Sequence, residues 1–334
     1  MGWIWSGIVL MLLMACTHDD GEDVDTTIGN RLGMVSFTRS GPSLTAVTDD
    51  YSPLGVFLVD GDGTTPTQTG RFIYKSSESI WRSKLEVTSN HHYAIYGYAP
   101  ADAVNATISG ASLDGATLTF TNLPAVSSQD VSFVVGVQQL ETASTPKDIP
   151  LGSFSFLGKG QDQNLANLQM DHVYAAVCFQ MTIGTDYAQL RSIKIRKMEL
   201  QTTVATATAT VVLSSNTTNT SPVLSATYSD WAGTQSSAAF FDSTEGVALD
   251  ATTLTEATCC FVPELGGELK LMTTYDVYDK EGNKVSERTV PNALPNLNAI
   301  RGQRVNLALT VAPTFLYQLS DDDVENPIKL KVEN

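Results

Sequence analysis

The stretch VYAAVCFQMTI (residues 173–183) separates two kinds of side chain by parity. The odd positions are all apolar and comprise Val173, Ala175, Val177, Phe179, Met181 and Ile183. The even positions are more mixed and comprise Tyr174, Ala176, Cys178, Gln180 and Thr182. Because successive side chains of a β-strand point to opposite faces, a period of two indicates a strand. We therefore predict a half-buried antiparallel strand with one face in the core and the other in water.

The same alternation recurs on both sides of this stretch. RVNLALTV (304–311) alternates throughout, and LKLMTTYDVYDKEGNKV (269–285) alternates and then turns at 281–283. In the first half of the chain, GVFLV (55–59) and RFIYK (71–75) flank a connection rich in Gly, Asp and Thr, which predicts a hairpin. Strand-length runs separated by turn residues predict an all-β protein made of β-sandwiches.

One segment, SIKIRKMEL (192–200), changes its phase. Ile193 and Ile195 share one parity, whereas Met198 and Leu200 take the other. An extra residue in one strand shifts the side chains after it to the opposite face. We therefore expect a β-bulge near Arg196 and Lys197.

The length and net charge of the chain restrict its domain organisation and the partners that it can bind. The chain has 334 residues, with 36 acidic and 20 basic residues and a formal net charge of −16. Such a charge repels nucleic acid and anionic lipid alike, so no nucleic-acid partner is expected. The polar, Gly-rich stretch LGKGQDQN (157–164) is the best domain joint, and it divides the mature chain into domains at 33–162 and 163–334.

Side chains with catalytic or ligating chemistry are few and scattered. The histidines are His18, His91, His92 and His172, and the pair at 91–92 has no Glu or Cys at ligand spacing. Asp60-Gly61-Asp62-Gly63 is similar to the opening of a calcium loop but lacks its later ligands, which favours a hairpin turn. We expect His172 to cap a turn or pack at the domain joint. No catalytic set stands out, so no enzyme activity, cofactor or metal is expected.

The four cysteines are Cys16, Cys178, Cys259 and Cys260. Their spacing does not match a metal site. Neighbouring positions 259 and 260 point to opposite faces if they lie on a strand. We interpret the last three cysteines as small core or strand residues rather than as a disulfide framework, although their redox state is left open.

The N-terminus indicates export. Residues 3–15, WIWSGIVLMLLMA, have the length of a signal-peptide apolar core and fall short of a membrane span. Leu13-Met14-Ala15-Cys16 resembles the bacterial lipobox, which implies a signal peptide at 1–15, an acylated Cys16 and an outer-membrane anchor. The acidic segment that follows predicts a solvated tether over 16–32. The alternative is a plain secretory signal with an incidental cysteine.

The C-terminal segment LALTVAPTFLYQLSDDDVENPIKL (307–330) begins with an alternating strand, followed by a Pro-Thr-aromatic-Leu-Tyr run, then Leu-Ser-Asp and then Asn-Pro. This order resembles the end of Bacteroidetes fimbrillin-like proteins, the subunits of type V pili. TYDVYDKEGNKVSE (274–287) is similar to the hairpin of the same family. HHYAIYGYAP (91–100), DHVYAAVCFQMTI (171–183) and VSFTRSG (35–41) resemble further strands of the family in the same order.

This resemblance implies two transthyretin-like β-sandwich domains in tandem and a surface lipoprotein cut by an arginine-specific protease. The removable strand would be GMVSFTR (33–39), with Val35 and Phe37 facing the core. Arg39 is the expected cleavage point and Arg31 the alternative. Partners are then other subunits, joined by strand donation, and the outer membrane through Cys16. PIKLKVE (327–333) is a candidate donor strand, and an ordinary closing strand is the alternative.

The rival hypothesis is a surface glycan-binding β-sandwich lipoprotein. Such a protein needs exposed aromatic rings that stack on sugars. Trp81, Trp231 and the tyrosine group Tyr93, Tyr96 and Tyr98 are the candidates, although Tyr96 and Tyr98 lie within a strand that can bury them. A host receptor or glycan therefore stays a candidate partner, and the stalk, anchor or tip role is open.

Overall fold

We analysed a computed structural model of the chain. It describes residues 30–39, 52–63, 67–143, 148–160, 163–215, 223–234, 236–253, 255–264, 269–294, 297 and 299–312. Cys16, the predicted signal peptide and the candidate donor strand 327–333 lie outside the described residues.

The described chain is almost entirely β, as its alternating sequence predicts. The strands of its first half are β1 (Arg31–Arg39), β2 (Leu54–Asp60), β3 (Gln68–Lys75), β4 (Ile80–Glu86), β5 (His92–Ala99), β6 (Asn105–Ser109), β7 (Gly115–Pro124), β8 (Ser132–Leu140) and β9 (Ser155–Leu157). Those of its second half are β10 (Leu165–His172), β11 (Ala175–Ile183), β12 (Ser192–Thr202), β13 (Thr206–Ser214), β14 (Val223–Ala232), β15 (Ser236–Ala248), β16 (Thr255–Val262), β17 (Leu269–Tyr278), β18 (Lys284–Leu294) and β19 (Arg304–Val311).

Helix is nearly absent from the described residues. The helix α1 (Thr185–Ala188) is a single turn of four residues. Within the described ranges, no helix has the length and apolar character that a bilayer crossing requires.

The largest sheet, sheet A, closes on itself. Its strands follow the order β2-β3-β4-β1-β10-β8-β5, pairing of β2 with β5 joins the two ends, and β9 adds to β5. Closure removes the open edges that a layer of a sandwich would keep. The tandem transthyretin-like sandwich expected from the sequence is therefore not confirmed, whereas the all-β class is.

Three smaller sheets complete the fold. Sheet B has the order β14-β13-β7-β6, sheet C the order β16-β11-β19 and sheet D the order β15-β12-β17-β18. Strand pairs cross the predicted boundary between residues 162 and 163, because β10 belongs to sheet A and β13 pairs with β7. The division into 33–162 and 163–334 stays a prediction.

Strand β11, which forms most of the alternating stretch 173–183, lies between two hydrophobic cores. Ala176 and Cys178 belong to the core shared with sheet B, whereas Val177 and Phe179 belong to the core beneath sheet D. Because neighbouring residues of a strand face opposite sides, one strand supplies both cores. The expectation that one face of β11 is exposed to solvent holds only at the end of the strand, where Gln180 and Thr182 are half-buried.

Local predictions made from phase and turn residues are confirmed. The register of β12 shifts between Ile195 and Lys197 against both of its neighbours, which is the expected bulge. Strands β2 and β3 form the expected antiparallel pair. Strands β17 and β18 form the second hairpin, in which Gly282 adopts a φ of 87° that favours glycine.

The cysteine interpretation is wrong in one respect. Cys178 and Cys259 form a disulfide, with their Cα atoms 4.1 Å apart on directly paired positions of β11 and β16. Cys260 is a free, fully buried thiol whose pKa is raised by burial. The sequence could not reveal the pairing because the two positions are 81 residues apart.

Candidate functional site

Strand β1, the predicted removable strand, is inserted between two strands that are distant in sequence. It runs antiparallel to β4 and parallel to β10. Pairing with β4 ends at Met34, which lies opposite Trp81, whereas pairing with β10 continues to Arg39 opposite Met170. Taking β1 out of the sheet would therefore expose the edges of β4 and β10 to other chains.

Side chains of β1 fill the core of sheet A. Leu32 and Met34 are both 0% exposed and lie in the same core cluster as Trp81. Complete burial of two such side chains stabilises the closed sheet by about 1.5–3 kcal/mol each. An occupant of this position must therefore present large apolar side chains two residues apart.

The residues of β1 that face the core differ from those predicted from the sequence. Val35 is half-buried and is not part of the core cluster, so the expectation that it faces the core is wrong. A register shift between Met34 and Ser36 explains this, since the extra residue reverses the parity beyond it. Phe37 then packs against the core as expected, with its ring centroid 5.8 Å from that of Trp81.

Polar contacts fix the backbone of β1 in its position. The buried Ser83 hydroxyl donates to the Leu32 carbonyl at 2.8 Å. On the other side, the Oδ1 atom of Asn167 accepts from the Ser36 backbone N–H at 3.0 Å and from the Ser36 hydroxyl at 2.8 Å. Asn167 is 0% exposed, so these bonds form away from water, where an unpaired group is costly.

At Gly33, β1 runs close to side chains and backbone of its neighbours. A Cβ atom there would be 3.0 Å from Leu165 Cδ2 and 3.5 Å from the Trp81 carbonyl oxygen. A larger residue between Leu32 and Met34 would therefore need the Leu165 side chain to shift by a few tenths of an ångström.

The two candidate cleavage sites lie at opposite ends of β1. Arg31 begins the strand, opposite Glu86 of β4, and Arg39 ends it. The turn expected after Arg39, residues 40–42, lies outside the described residues. A cut after Arg39 separates β1 from the rest of the chain, whereas a cut after Arg31 leaves nearly all of β1 attached.

Most aromatic candidates for glycan stacking are buried. Trp81, Tyr93 and Tyr96 are at most 4% exposed, and burial is the main cause that raises the pKa of Tyr96. Trp231 is 37% exposed, and its ring centroid lies 6.4 Å from that of Tyr228. The predicted tyrosine group therefore belongs largely to the core.

His172 packs at the junction between β10 and β11. Its Nδ1 atom lies 2.5 Å from Asp130 Oδ2, and both side chains are 1% exposed. Arg301 holds the adjacent residue, with its Nη1 2.7 Å from Asp171 Oδ2 and 2.8 Å from the His172 carbonyl oxygen. His172 is therefore a buried residue paired with Asp130, and its expected place at a domain joint stays a prediction.

Two motifs that the sequence treated separately meet in the structure. His91 Nε2 lies 2.5 Å from Asp60 Oδ1, and His91 Nδ1 lies 3.2 Å from Asp62 Oδ2. Spacing rules missed this cluster because its members are 31 residues apart along the chain. The pairing of β2 with β5 brings them together, and the sequence carries no signal for that pairing.

Comparisons with solved structures show a likeness that extends over most of the chain. A protein assigned to cell adhesion from Bacteroides ovatus has 12% identity and a TM-score of 0.40, covering 84% of this chain and 92% of its own. A fimbrial protein from Bacteroides vulgatus has 13% identity and a TM-score of 0.39, covering 85% and 95%. A protein from Bacteroides thetaiotaomicron assigned to polysaccharide binding has 10% identity and a TM-score of 0.35, covering 86% and 93%.

No family model matches the chain, and no curated protein matches it. No residue role in this chain is taken from the solved structures.

Proposed function

We propose that this chain is a structural, non-catalytic subunit of a cell-surface pilus that supports adhesion. It is exported as a lipoprotein and assembles by donor-strand exchange after its first strand is removed. The observation that carries the proposal is the position of β1, which joins β4 to β10 within sheet A and contributes the buried Leu32 and Met34 to its core. The strand is separated from β2 by residues 40–53, so one cut detaches it.

Strand replacement follows from the physics of the vacated position. Loss of β1 leaves two unpaired backbone edges and an apolar cavity in the core of sheet A. An extended segment of another chain supplies the missing hydrogen bonds and refills the cavity with alternate side chains. Because donor and acceptor surfaces differ, the contact is head-to-tail and propagates as a filament.

Arg39 is the cleavage site in this proposal. A cut after Arg31 leaves Leu32 and Met34 in place, so it cannot open the cavity. A cut after Arg39 leaves β1 held only by non-covalent contacts, from which an incoming strand can displace it. Acylated Cys16 keeps the precursor on the outer membrane until that step. The two-domain, transthyretin-like division is retained as part of this proposal.

N-terminal sequencing of filament-associated protein tests the proposal. We expect a terminus at Ser40 in the wild type and no filaments from an Arg39→Gln variant, whereas a matched Arg31→Gln variant assembles normally. Filament protein that still begins at Cys16 would contradict the cleavage step. Labelling with palmitate, lost in a Cys16→Ser variant, tests the anchor separately.

One observation favours glycan binding as a second candidate function. The outer face of sheet B is lined by hydroxyl side chains in register, since Thr107, Thr119, Thr210 and Thr227 lie side by side on its four strands. Alternate residues such as Leu118 point into the core. Asp230 is the single charged residue within these four strands, although the whole chain has a net charge of −16.

An uncharged hydroxyl surface is suited to a neutral polysaccharide, which offers hydroxyl donors and acceptors in return. Affinity electrophoresis in neutral polysaccharide gels distinguishes the two candidates. Thr119→Glu and Thr210→Glu should abolish any retardation, and Ser77→Glu, in the exposed turn before β4, is the matched control. Equal mobility of all variants with and without polysaccharide would remove this candidate.

A further inference from the structure

Asp60, Asp62 and His91 form a compact group of metal-ligating side chains outside the β1 position. One ligand atom from each residue lies within 4.8 Å of the other two. The group combines a nearly buried carboxylate, a half-buried imidazole and an exposed carboxylate, since the side chains of Asp60, His91 and Asp62 are 2%, 20% and 53% exposed. The group is therefore partly buried, and Asp62 is its most exposed member.

The fold brings these residues together through rigid elements. Asp60 is the last residue of β2 and is paired with Tyr93 of β5. The backbone N–H of Gly61 donates to the His92 carbonyl at 2.9 Å, which ties the turn after β2 to the start of β5. On the other side, the Gly158 N–H donates to the His91 carbonyl at 2.8 Å. The three side chains therefore project from backbone that is fixed on both flanks.

The chemistry of the three ligands selects a class of ion. An imidazole nitrogen with two carboxylate oxygens suits Zn²⁺ and related divalent transition metals, whereas Ca²⁺ takes oxygen ligands. Three protein ligands leave one tetrahedral position for water or for a side chain from another molecule.

We propose that Asp60, Asp62 and His91 bind a divalent transition-metal ion of the zinc class. Ligand atoms around tetrahedral zinc are about 3.4 Å apart, given metal–ligand distances of about 2.0–2.2 Å. The His91–Asp60 contact of 2.5 Å therefore widens when the ion replaces the proton between them. The exposed Asp62 carboxylate turns toward the same ring nitrogen. The ion would fasten the β2–β3 turn to the start of β5.

A metal ligand must be deprotonated, so His91 would bind the ion through a neutral ring nitrogen. The titratable groups that face this ring are the two carboxylates Asp60 and Asp62, and the ring of Tyr93 lies 5.0 Å away.

Calorimetric titration of the full chain with Zn²⁺ alone tests the proposal, in a Cys16→Ser background that removes the terminal thiol. We expect saturable one-to-one binding at pH 7.5, weakened by about tenfold or more in His91→Gln and in Asp62→Asn. His92→Gln is the matched control, because His92 is exposed and outside the group. A rise in Tm with Zn²⁺, absent in His91→Gln, provides a second readout.

Three results would contradict the proposal. One is the lack of saturable binding at millimolar Zn²⁺. Another is binding that His91→Gln leaves unchanged, which would place the ion elsewhere. Binding of Ca²⁺ in preference to Zn²⁺, with no effect of His91→Gln, would also count against it, because the imidazole would then have no role.

Discussion

Ser36 donates two hydrogen bonds to one atom, Oδ1 of Asn167, through its backbone N–H at 3.0 Å and its hydroxyl at 2.8 Å. The contact lies at the bulge of β1, where the register against β10 shifts between Met34 and Ser36. A bulge leaves a ladder position unpaired, and here a buried side chain supplies the missing acceptor. Asn167 therefore fixes the register in which β1 enters sheet A.

Asn167→Ala should destabilise the protein more than Ser36→Ala. Loss of the Ser36 hydroxyl removes one bond, worth about 1 kcal/mol, whereas loss of the Asn167 amide leaves two donors of Ser36 without their acceptor and costs about 1–3 kcal/mol. Urea denaturation measures both values. Ser77→Ala, in an exposed turn, is the control and should change the free energy of unfolding little. Equal stability of Asn167→Ala and wild type would show that water replaces the amide.

Met34→Ala should be far more damaging than Val35→Ala. Met34 is 0% exposed in the core of sheet A, so its truncation leaves a cavity and costs about 2–5 kcal/mol. Val35 is half-buried beside the bulge, and its truncation should cost about 1 kcal/mol or less. Denaturant midpoints of the two variants give the comparison. If Val35→Ala were the more destabilising change, Val35 would face the core, as predicted from the sequence.

The phase error at β1 shows what alternation alone can reveal. Leu32 and Met34 share one parity and Phe37 the other, which is the pattern that correctly predicted the bulge in β12. In β12, two apolar residues stand on each side of the shift, whereas β1 has one residue beyond it. A strand prediction that began at Gly33 omitted Leu32, so the change of parity could not be seen.

Contacts between strands that are far apart in the sequence could not be predicted, for a different reason. Alternation identifies strands but not their neighbours, so closure of sheet A through the β2–β5 pair could not be predicted. The even positions of β11 looked wet because Cys178 and Ala176 are small, yet they face a second core. The Asp60–His91 contact and the Cys178–Cys259 bond depend on the same non-local pairing.

Thiol titration should show the disulfide and the buried cysteine together. In a Cys16→Ser variant, three cysteines remain, of which Cys178 and Cys259 are bonded and Cys260 is buried. Because burial raises the pKa of Cys260 and excludes reagent, the native protein should react with no thiol reagent. Unfolding without reductant should reveal one thiol, and unfolding with reductant three. Three thiols without reductant would mean that no bond forms.

The last prediction concerns Asp276, whose side chain is 1% exposed in sheet D. Burial alone would raise the pKa of Asp276. Lys284 opposes this effect through a hydrogen bond and its positive charge, since its Nζ lies 2.7 Å from Asp276 Oδ1, and the charge of Arg196 adds to it. Together they hold the pKa of Asp276 below its ordinary value. The bulge of β12 presents Arg196, whose Nη1 lies 3.2 Å from Asp276 Oδ2. The carboxylate is therefore more strongly favoured in the folded protein than in the unfolded chain.

Asp276→Asn should lower stability most above pH 5, and the difference from wild type should shrink as the pH falls. Since the folded pKa lies below the unfolded value of about 3.9, the unfolded chain takes up the proton first on acidification. The stabilisation is present above that value and is lost as the pH falls through the folded pKa. Urea denaturation of both proteins between pH 2.5 and pH 7 measures it, with Asp242→Asn on the exposed side of β15 as the control. A difference that stayed constant down to the lowest pH would show that the charge of Asp276 is not what stabilises sheet D.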